Sequence, residues 1–324
     1  MTTPKDFLLE ALSPGNPPLP FEKFMEAALF HPNFGYYSTE IQNVGKTGDF
    51  STSATLSPIL AEAIANWLKT LPPLPVIEIG AGNGALAESI LNHHPSPYHI
   101  VETSQPLKSL QQNRLGNSCT WHNTIHSALE ATNGTAHLIS NELVDAFPCK
   151  LLEFNGQNWE EIALELHNGN LRETTLPFSS QYPLLENPVL HQRIELHQSY
   201  HNWLHSWAPL WRQGHSLTID YGDTLGQLYY RRPKGTLRAY YQQERLTGSQ
   251  IYHRMGQQDL TADVNFTHLQ HWSQQQGWKT QPLQTQRDFI LQHTTPNPDD
   301  PATQFLLQPE GAGEAFKVLA CEIS

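Results

Sequence analysis

The stretch V-I-E-I-G-A-G-N-G-A, residues 76–85, carries the chain's clearest chemistry. A short apolar run leads into it and a helix-forming run leaves it. Gly80, Gly82 and Gly84 let the backbone turn tightly and approach a ligand with no Cβ in the way. The N-terminus of the helix that follows offers free N–H groups. Such a loop after a first strand holds a nucleotide-like cofactor at the edge of a sheet. Glu102 ends the next strand, in I-V-E-T-S, 22 positions after Gly80. That is close to the offset of about 20 residues at which a carboxylate accepts hydrogen bonds from both ribose hydroxyls.

The string also fits G-x-G-x-x-A, through Gly80, Gly82 and Ala85, which is a dinucleotide fingerprint. Three features favour S-adenosylmethionine instead. The third glycine falls at 84, giving the tighter G-x-G-x-G. Glu78 lies two positions before the first glycine, where a carboxylate helps orient the loop and the cofactor's amino-acid end. Finally, about 80 residues precede the loop, whereas dinucleotide folds often begin with it. Alone, Glu78 or Glu102 reads equally well as an ordinary strand-end charge. With the glycines they form a pattern.

A third cluster follows a later strand, in I-S-N-E-L-V-D-A-F-P. Asn141, Glu142 and Asp145 fall just past the C-terminal edge of the sheet, where open α/β folds place ligands. A carboxylate there can hold a cationic nucleophile against a methyl-bearing sulfonium. A guanidinium suits it, because its planar fork pairs bidentately with carboxylate. Catalysis would then be orientation for in-line displacement, with the carboxylate stabilising the cation. The bland alternative makes Asn141 and Asp145 helix caps and Glu142 a solvated first-turn acid.

The elements that must position these residues alternate. Apolar runs predict strands over residues 76–79, 98–102, 137–140 and 216–219, with closing strands over 279–291 and 316–323. Helices are predicted over 86–91, 105–115, around 192–210, and over 266–276. An earlier helix starts at Ser57-Pro58, with Leu60, Ile64, Trp67 and Leu68 on one stripe, and stops at Pro72-Pro73. Residues 21–29 read as a short amphipathic helix, and residues 1–20 as Pro-rich and irregular. Alternating strands and helices predict an α/β fold with a parallel sheet covered on both faces. Two stretches, about 148–190 and 222–262, interrupt it as insertions.

The 324 residues carry 19 Lys+Arg against 31 Asp+Glu, a formal charge of −12. Such a surface repels phosphate backbones and attracts basic partners, so nucleic-acid binding is disfavoured. No run of about 18 apolar residues predicts a membrane span. Residues 1–13 resemble neither a secretory signal nor a transit peptide. Cys119, Cys149 and Cys321 show no C-x-x-C spacing, which fits reduced thiols in a cytoplasmic protein.

From about residue 21 to 322 the chain resembles the MidA / NDUFAF7-like family of class I S-adenosylmethionine-dependent methyltransferases. The matching blocks are F-H-P-N-F-G-Y-Y-S, G-D-F-S-T-S, V-I-E-I-G-A-G-N-G-A-L-A, I-V-E-T-S, N-E-L-V-D-A-F-P, I-D-Y-G, G-T-L-R-A-Y, D-L-T-A-D-V-N-F and G-E-A-F-K-V-L. The glycine loop is generic to methyltransferases; the G-D-F, N-E-L-x-D-A-x-P and G-T-L-R blocks are far more specific. The resemblance implies a Rossmann-like seven-stranded sheet with its last strand antiparallel. It implies an N-terminal helical and lid segment over 1–53 and a methyltransferase domain over 54–324, with the insertions forming a lid. It implies that Asp49 of the G-D-F loop folds over S-adenosylmethionine, with Thr52 or Ser53 near the cofactor's carboxylate. It also implies a protein substrate with an exposed arginine, since mitochondrial members are linked to assembly of respiratory complex I and are thought to methylate a core NADH dehydrogenase subunit. One departure is Asn265, where members commonly have Asp in Val-Asp-Phe. An N-cap role suits either residue.

Other features are weaker. Trp121-His122, after the third strand, is placed to border an adenine. His197, His201 and His205 recur every four residues, but no acid lies between them as in H-E-x-x-H, and a solvated histidine face is the expectation. Asp220-Tyr221-Gly222 faces the same sheet edge as either a substrate contact or a turn. Two other function classes stay open: a non-catalytic assembly factor that uses the fold as a binding platform, and a dinucleotide-dependent oxidoreductase.

Overall fold

The computed structural model describes residues 2–39, 58–242, 244–297, 299–308 and 312–323. Asp49, Thr52 and the rest of the G-D-F-S-T-S stretch, and Ser57, lie outside the described residues. The chain divides into two compact units.

The first unit comprises Gln42–Leu143, Trp203–Asp223 and Leu269–Ser324. The main path of its sheet comprises β1 (Val76–Ile79), β2 (Tyr98–Val101), β3 (Thr120–His122), β4 (His137–Asn141), β5 (Gly214–Asp223), β6 (Lys279–Thr280) and β7 (Phe316–Ile323), with Gln284–Thr285 pairing to β7 off that path. They run in the order β6-β7-β5-β4-β1-β2-β3. β1 to β5 pair in parallel, with Val76 opposite both Tyr98 and His137. β7 runs antiparallel to β5, from Gly214 opposite Ile323 to Tyr221 opposite Phe316. The expected antiparallel last strand is therefore present. The chain builds outward from β1 through β2 to β3, then crosses back to β4 on the other side of β1. Open α/β sheets bind ligands at the C-terminal ends of the strands that flank such a reversal, here β1 and β4.

Helix α1 (Ile59–Lys69) owes its place to its stripe. Leu60, Ile64 and Leu68 bury against Val76, Ile100, Ile139, Leu217 and Val318 in one core cluster. Each such side chain contributes about 1.5–3 kcal/mol by leaving water. Pro58 already has helical dihedrals (φ −68°, ψ −10°). Helices α2 (Ala85–His93) and α3 (Gln105–Leu115) add Leu86, Ala87, Ile90 and Leu115 to that core, and α4 (Ile125–Ala131) packs on β2 and β3. The predicted single strand over 279–291 is corrected. Two short strands, Lys279–Thr280 and Gln284–Thr285, precede a helix over Gln286–His293. Thr285 caps that helix by accepting from the Asp288 N–H at 3.0 Å.

The second unit comprises Met1–Ile41, Val144–Asn202 and Thr224–His268. Its main sheet is antiparallel, in the order Leu19–Pro20, Trp159–His167, Lys150–Phe154, Arg193–Leu196, with Asn170–Pro177 pairing to Trp159–His167. A smaller sheet holds Glu244–Leu246, Arg238–Tyr241 and Asp259–Thr261. The helix Phe21–Phe30 buries Phe21, Phe24 and Met25, and the rings of Phe21 and Phe24 lie 6.2 and 5.6 Å from that of Tyr252. Two expectations are corrected here. Residues 193–196 form a strand rather than the start of a helix, and residues 4–11, expected irregular, form a helix. In the latter a capping box holds the first turn: Asp6 N–H donates to Thr3 Oγ1 at 3.2 Å and Thr3 N–H to Asp6 Oδ2 at 3.0 Å.

Candidate active site

The glycine loop leaves β1 with Gly80, Gly82 and Gly84 all left-handed (φ +72°, +54° and +79°). The first two glycines do different work. A Cβ on Gly80 would lie 2.8 Å from Leu143 Cδ1, so the absent side chain lets the turn after β4 pack on the loop. Among the described residues, a Cβ on Gly82 would meet nothing within 4 Å. Helix α2 then begins with no side-chain cap at Gly84, while Asn83 Oδ1 accepts from Ala85 N–H at 3.0 Å. Arg114 on α3 donates to Asn83 O and pairs with Glu88, tying the loop to the helix beside it.

Glu102 leaves the end of β2 buried, and burial pushes its carboxyl above the ordinary range. Its Oε1 accepts from Ser104 N–H at 2.8 Å and its Oε2 from the Gln111 amide at 3.0 Å. The same Gln111 nitrogen donates to Gly82 O at 2.8 Å, and Gln111 Oε1 accepts from Trp121 Nε1 at 3.1 Å. One amide thus brings together three residues singled out in the sequence: Gly82, Glu102 and Trp121. Gln111 itself was missed. Its signal was available, because Leu107, Gln111 and Leu115 form the buried stripe of α3, and a glutamine between two leucines there has little reason to be polar.

Glu78 is placed differently. It is buried in β1 and accepts from the Tyr98 hydroxyl at 2.8 Å, one strand away. Burial, with Glu102 adding repulsion, raises its pKa to about 7.

At the end of β4, Asn141 and Glu142 stand together. Asn141 Nδ2 donates to Glu142 Oε1 at 3.2 Å, and Tyr221 Oη donates to Glu142 Oε2 at 3.3 Å. Asn141 Oδ1 is buried and has no hydrogen-bond partner among the described residues. Glu142 is left-handed at φ +53°, a conformation costing about 1–2 kcal/mol in a non-glycine residue. Two bonds hold it there: Glu142 N–H donates to Ile219 O at 2.9 Å, and Leu143 N–H to Asp220 Oδ2 at 3.1 Å. Asp220 is fully buried and also accepts from Tyr221 N–H, so it anchors the turn.

Asp145 belongs to the second unit. Its Oδ2 accepts from the Thr261 hydroxyl at 2.8 Å, and burial raises its pKa. Asp259, also buried and raised to about 7, accepts from the Tyr37 hydroxyl at 3.1 Å. In the same unit the G-T-L-R block is explained by Glu195. That buried carboxylate accepts from Thr236 N–H, Leu237 N–H, Thr236 Oγ1 and Tyr229 Oη at 2.8–3.0 Å. A Cβ on Gly235, which is left-handed at φ +75°, would run into the Glu195 carboxylate, which favours glycine there. Asn265 accepts from Thr267 N–H at 3.1 Å, as an N-cap does. The histidines do not form a solvated face. His197 is buried just before the helix, and burial pushes its pKa down to about 3. His201 Nδ1 lies 3.1 Å from Tyr182 Oη. Among the described residues no group of three or more His, Cys, Asp or Glu could hold a metal.

The site suits S-adenosylmethionine on its own geometry. Among the described residues there is open space at Gly82, a helix start beyond it where Gly84 supplies no side-chain cap, and a clamped carboxylate at Glu102. Comparisons with known proteins agree. A family model described as "Putative S-adenosyl-L-methionine-dependent methyltransferase" matches residues 59–284. A Drosophila melanogaster protein named protein arginine methyltransferase NDUFAF7 homolog, mitochondrial, is 24% identical over 98% of this chain and 84% of its own length. A Danio rerio protein arginine methyltransferase NDUFAF7, mitochondrial, is 24% identical over 93% of this chain and 82% of its own. A Burkholderia thailandensis protein crystallised with S-adenosyl-homocysteine superposes with a TM-score of 0.85 at 25% identity, covering 98% of this chain and 91% of that one.

Proposed function

The chain belongs to the S-adenosyl-L-methionine-dependent methyltransferase family whose model spans residues 59–284, and from that premise we propose that it N-methylates an arginine exposed on a protein substrate. The observation that carries the reading is the Glu142 turn. A carboxylate braced by Asn141 and Tyr221 sits at the end of β4, on a backbone that packs through Leu143 against the cofactor loop at Gly80. The arginine methyltransferase names of the fly and zebrafish relatives support the same acceptor.

S-adenosylmethionine supplies an electrophilic methyl group on a sulfonium. In this reading Gly82 leaves room for it, Glu102 accepts from its ribose, Trp121 borders its adenine, and the α2 N-terminus faces its carboxylate. Glu142 pairs with the substrate guanidinium through both oxygens, and Asn141 Nδ2 braces that carboxylate. That grip fixes one nitrogen for in-line attack, which is worth more than charge alone. The product guanidinium stays cationic, so the proton shed by the attacking nitrogen leaves to solvent. Asp145, held by Thr261 and Ala262 N–H, serves the chain after the turn rather than the acceptor. The target we propose is a subunit of a respiratory NADH dehydrogenase, in a reducing compartment such as the bacterial cytoplasm that suits three free thiols.

Incubating the protein and tritiated cofactor with lysate from cells lacking it tests this. A labelled band whose hydrolysate yields methylarginine is expected. Label in lysine, or in small amines alone, overturns the acceptor assignment.

A further inference from the structure

We infer that Gln111 is a positioning residue for the cofactor, a single buried amide that sets the ribose carboxylate, the glycine loop and the adenine wall against one another. The inference rests on the reading in which Glu102, Gly82 and Trp121 hold the adenosine half. Gln111 is 0% exposed on α3, and its contacts reach the β1–α2 loop, the end of β2 and the end of β3. Its orientation is fixed by its partners. One side faces two acceptors, Gly82 O at 2.8 Å and Glu102 Oε2 at 3.0 Å; the other faces a donor, Trp121 Nε1 at 3.1 Å. A primary amide gives two donors on one atom and an acceptor on the other without burying a charge. Ser104 N–H takes the other Glu102 oxygen, so the carboxylate is clamped at both ends. A carboxylate has about four lone-pair positions, which leaves acceptors for a ribose. Without the amide, Glu102 gains rotamers and the Gly82 carbonyl loses its tether.

Core packing predicts the opposite choice. A leucine would continue the stripe of Leu107 and Leu115 and bury no polar group.

Three variants test the role, by titration with S-adenosylhomocysteine and with 5′-methylthioadenosine, which lacks the amino-acid end. Gln111→Met keeps the packed volume and should weaken both ligands by the same factor, about 10- to 30-fold, with the KM for the methyl acceptor unchanged. Gln111→Glu sets a carboxyl against two acceptor oxygens. Its affinity relative to the wild type at the same pH should be lost near about pH 8 and recover toward about pH 5.5 as the carboxyl takes up a proton, with Glu78 and Glu102 titrating in both proteins. Glu102→Gln is the control. If Glu102→Gln loses the ligand and both Gln111 variants bind as wild type at every pH, Gln111 only fills space and the inference falls. If Glu102→Gln itself binds as wild type, the cofactor-site reading falls instead.

Discussion

Alanine at Gly80 and alanine at Gly82 should fail in opposite ways. Both positions are left-handed, so each alanine costs about 1–2 kcal/mol of backbone strain. About 0.4–1 kcal/mol returns because the unfolded chain is stiffer. At Gly82 the new Cβ meets none of the described residues within 4 Å, and the net loss is about 1 kcal/mol. At Gly80 the Cβ meets Leu143 Cδ1 at 2.8 Å. Leu143 must swing aside, which adds about 1–2 kcal/mol of overpacking. Gly80→Ala should therefore melt several degrees below Gly82→Ala, at about 2–4 °C per kcal/mol for domains of about this size. Ligand binding should run the other way. The Gly82 methyl enters the space assigned to the cofactor, so affinity should fall by about 100-fold or more, close to 3 kcal/mol. Thermal unfolding with and without S-adenosylhomocysteine reads both quantities, because a ligand at 100 times its Kd stabilises by about 2.7 kcal/mol. A Gly82→Ala protein whose ligand-induced shift equals the wild type's refutes the reasoning.

Other predictions follow from single contacts. Glu142→Gln should keep cofactor affinity and lower kcat by about 100-fold or more, measured with labelled cofactor on the methylated substrate; unchanged turnover contradicts the anchoring role. Glu78, raised from 4.5 to about 7, keeps its proton in the folded state after the unfolded chain has lost it. Stability from this group is therefore full below about pH 4.5, falls as pH rises through 7, and then levels. Denaturant titrations should show Glu78→Gln flatter than wild type across that window, by about 3 kcal/mol in all; parallel curves exclude an elevated carboxyl. Glu195→Ala leaves Thr236 N–H, Leu237 N–H and Tyr229 Oη without their acceptor and should destabilise the second unit by roughly 3–5 kcal/mol, seen as a lower urea midpoint. A loss under about 1 kcal/mol shows that the G-T-L-R backbone is held some other way.

The parallel sheet was legible because its strands are short apolar runs bounded by turn residues, and β1, α3 and β7 fall where periodicity puts them. Reading failed where local chemistry outweighed pattern. The run Arg193–Leu196 buries Ile194, Glu195 and Leu196 together, and a buried glutamate hides a strand's alternation. The helix over Gln286–His293 announces itself only through the Thr285 cap, which an apolar count passes over. Proline density hid the Thr3–Asp6 capping box. For the site, glycines and strand-end acids were visible because their spacing is dictated by the turn. Gln111 and the strained turn at Glu142 were not: the partners lie at separations of 9, 10, 29 and 79 residues, set by the fold rather than by any local pattern.

The most direct test is a crystal structure of this protein with S-adenosylhomocysteine. The account predicts both ribose hydroxyls on the Glu102 carboxylate at about 2.5–3.0 Å, and the amino-acid end at the start of α2. A ligand seated away from the glycine loop, or a Glu102 carboxylate turned from the sugar, contradicts it.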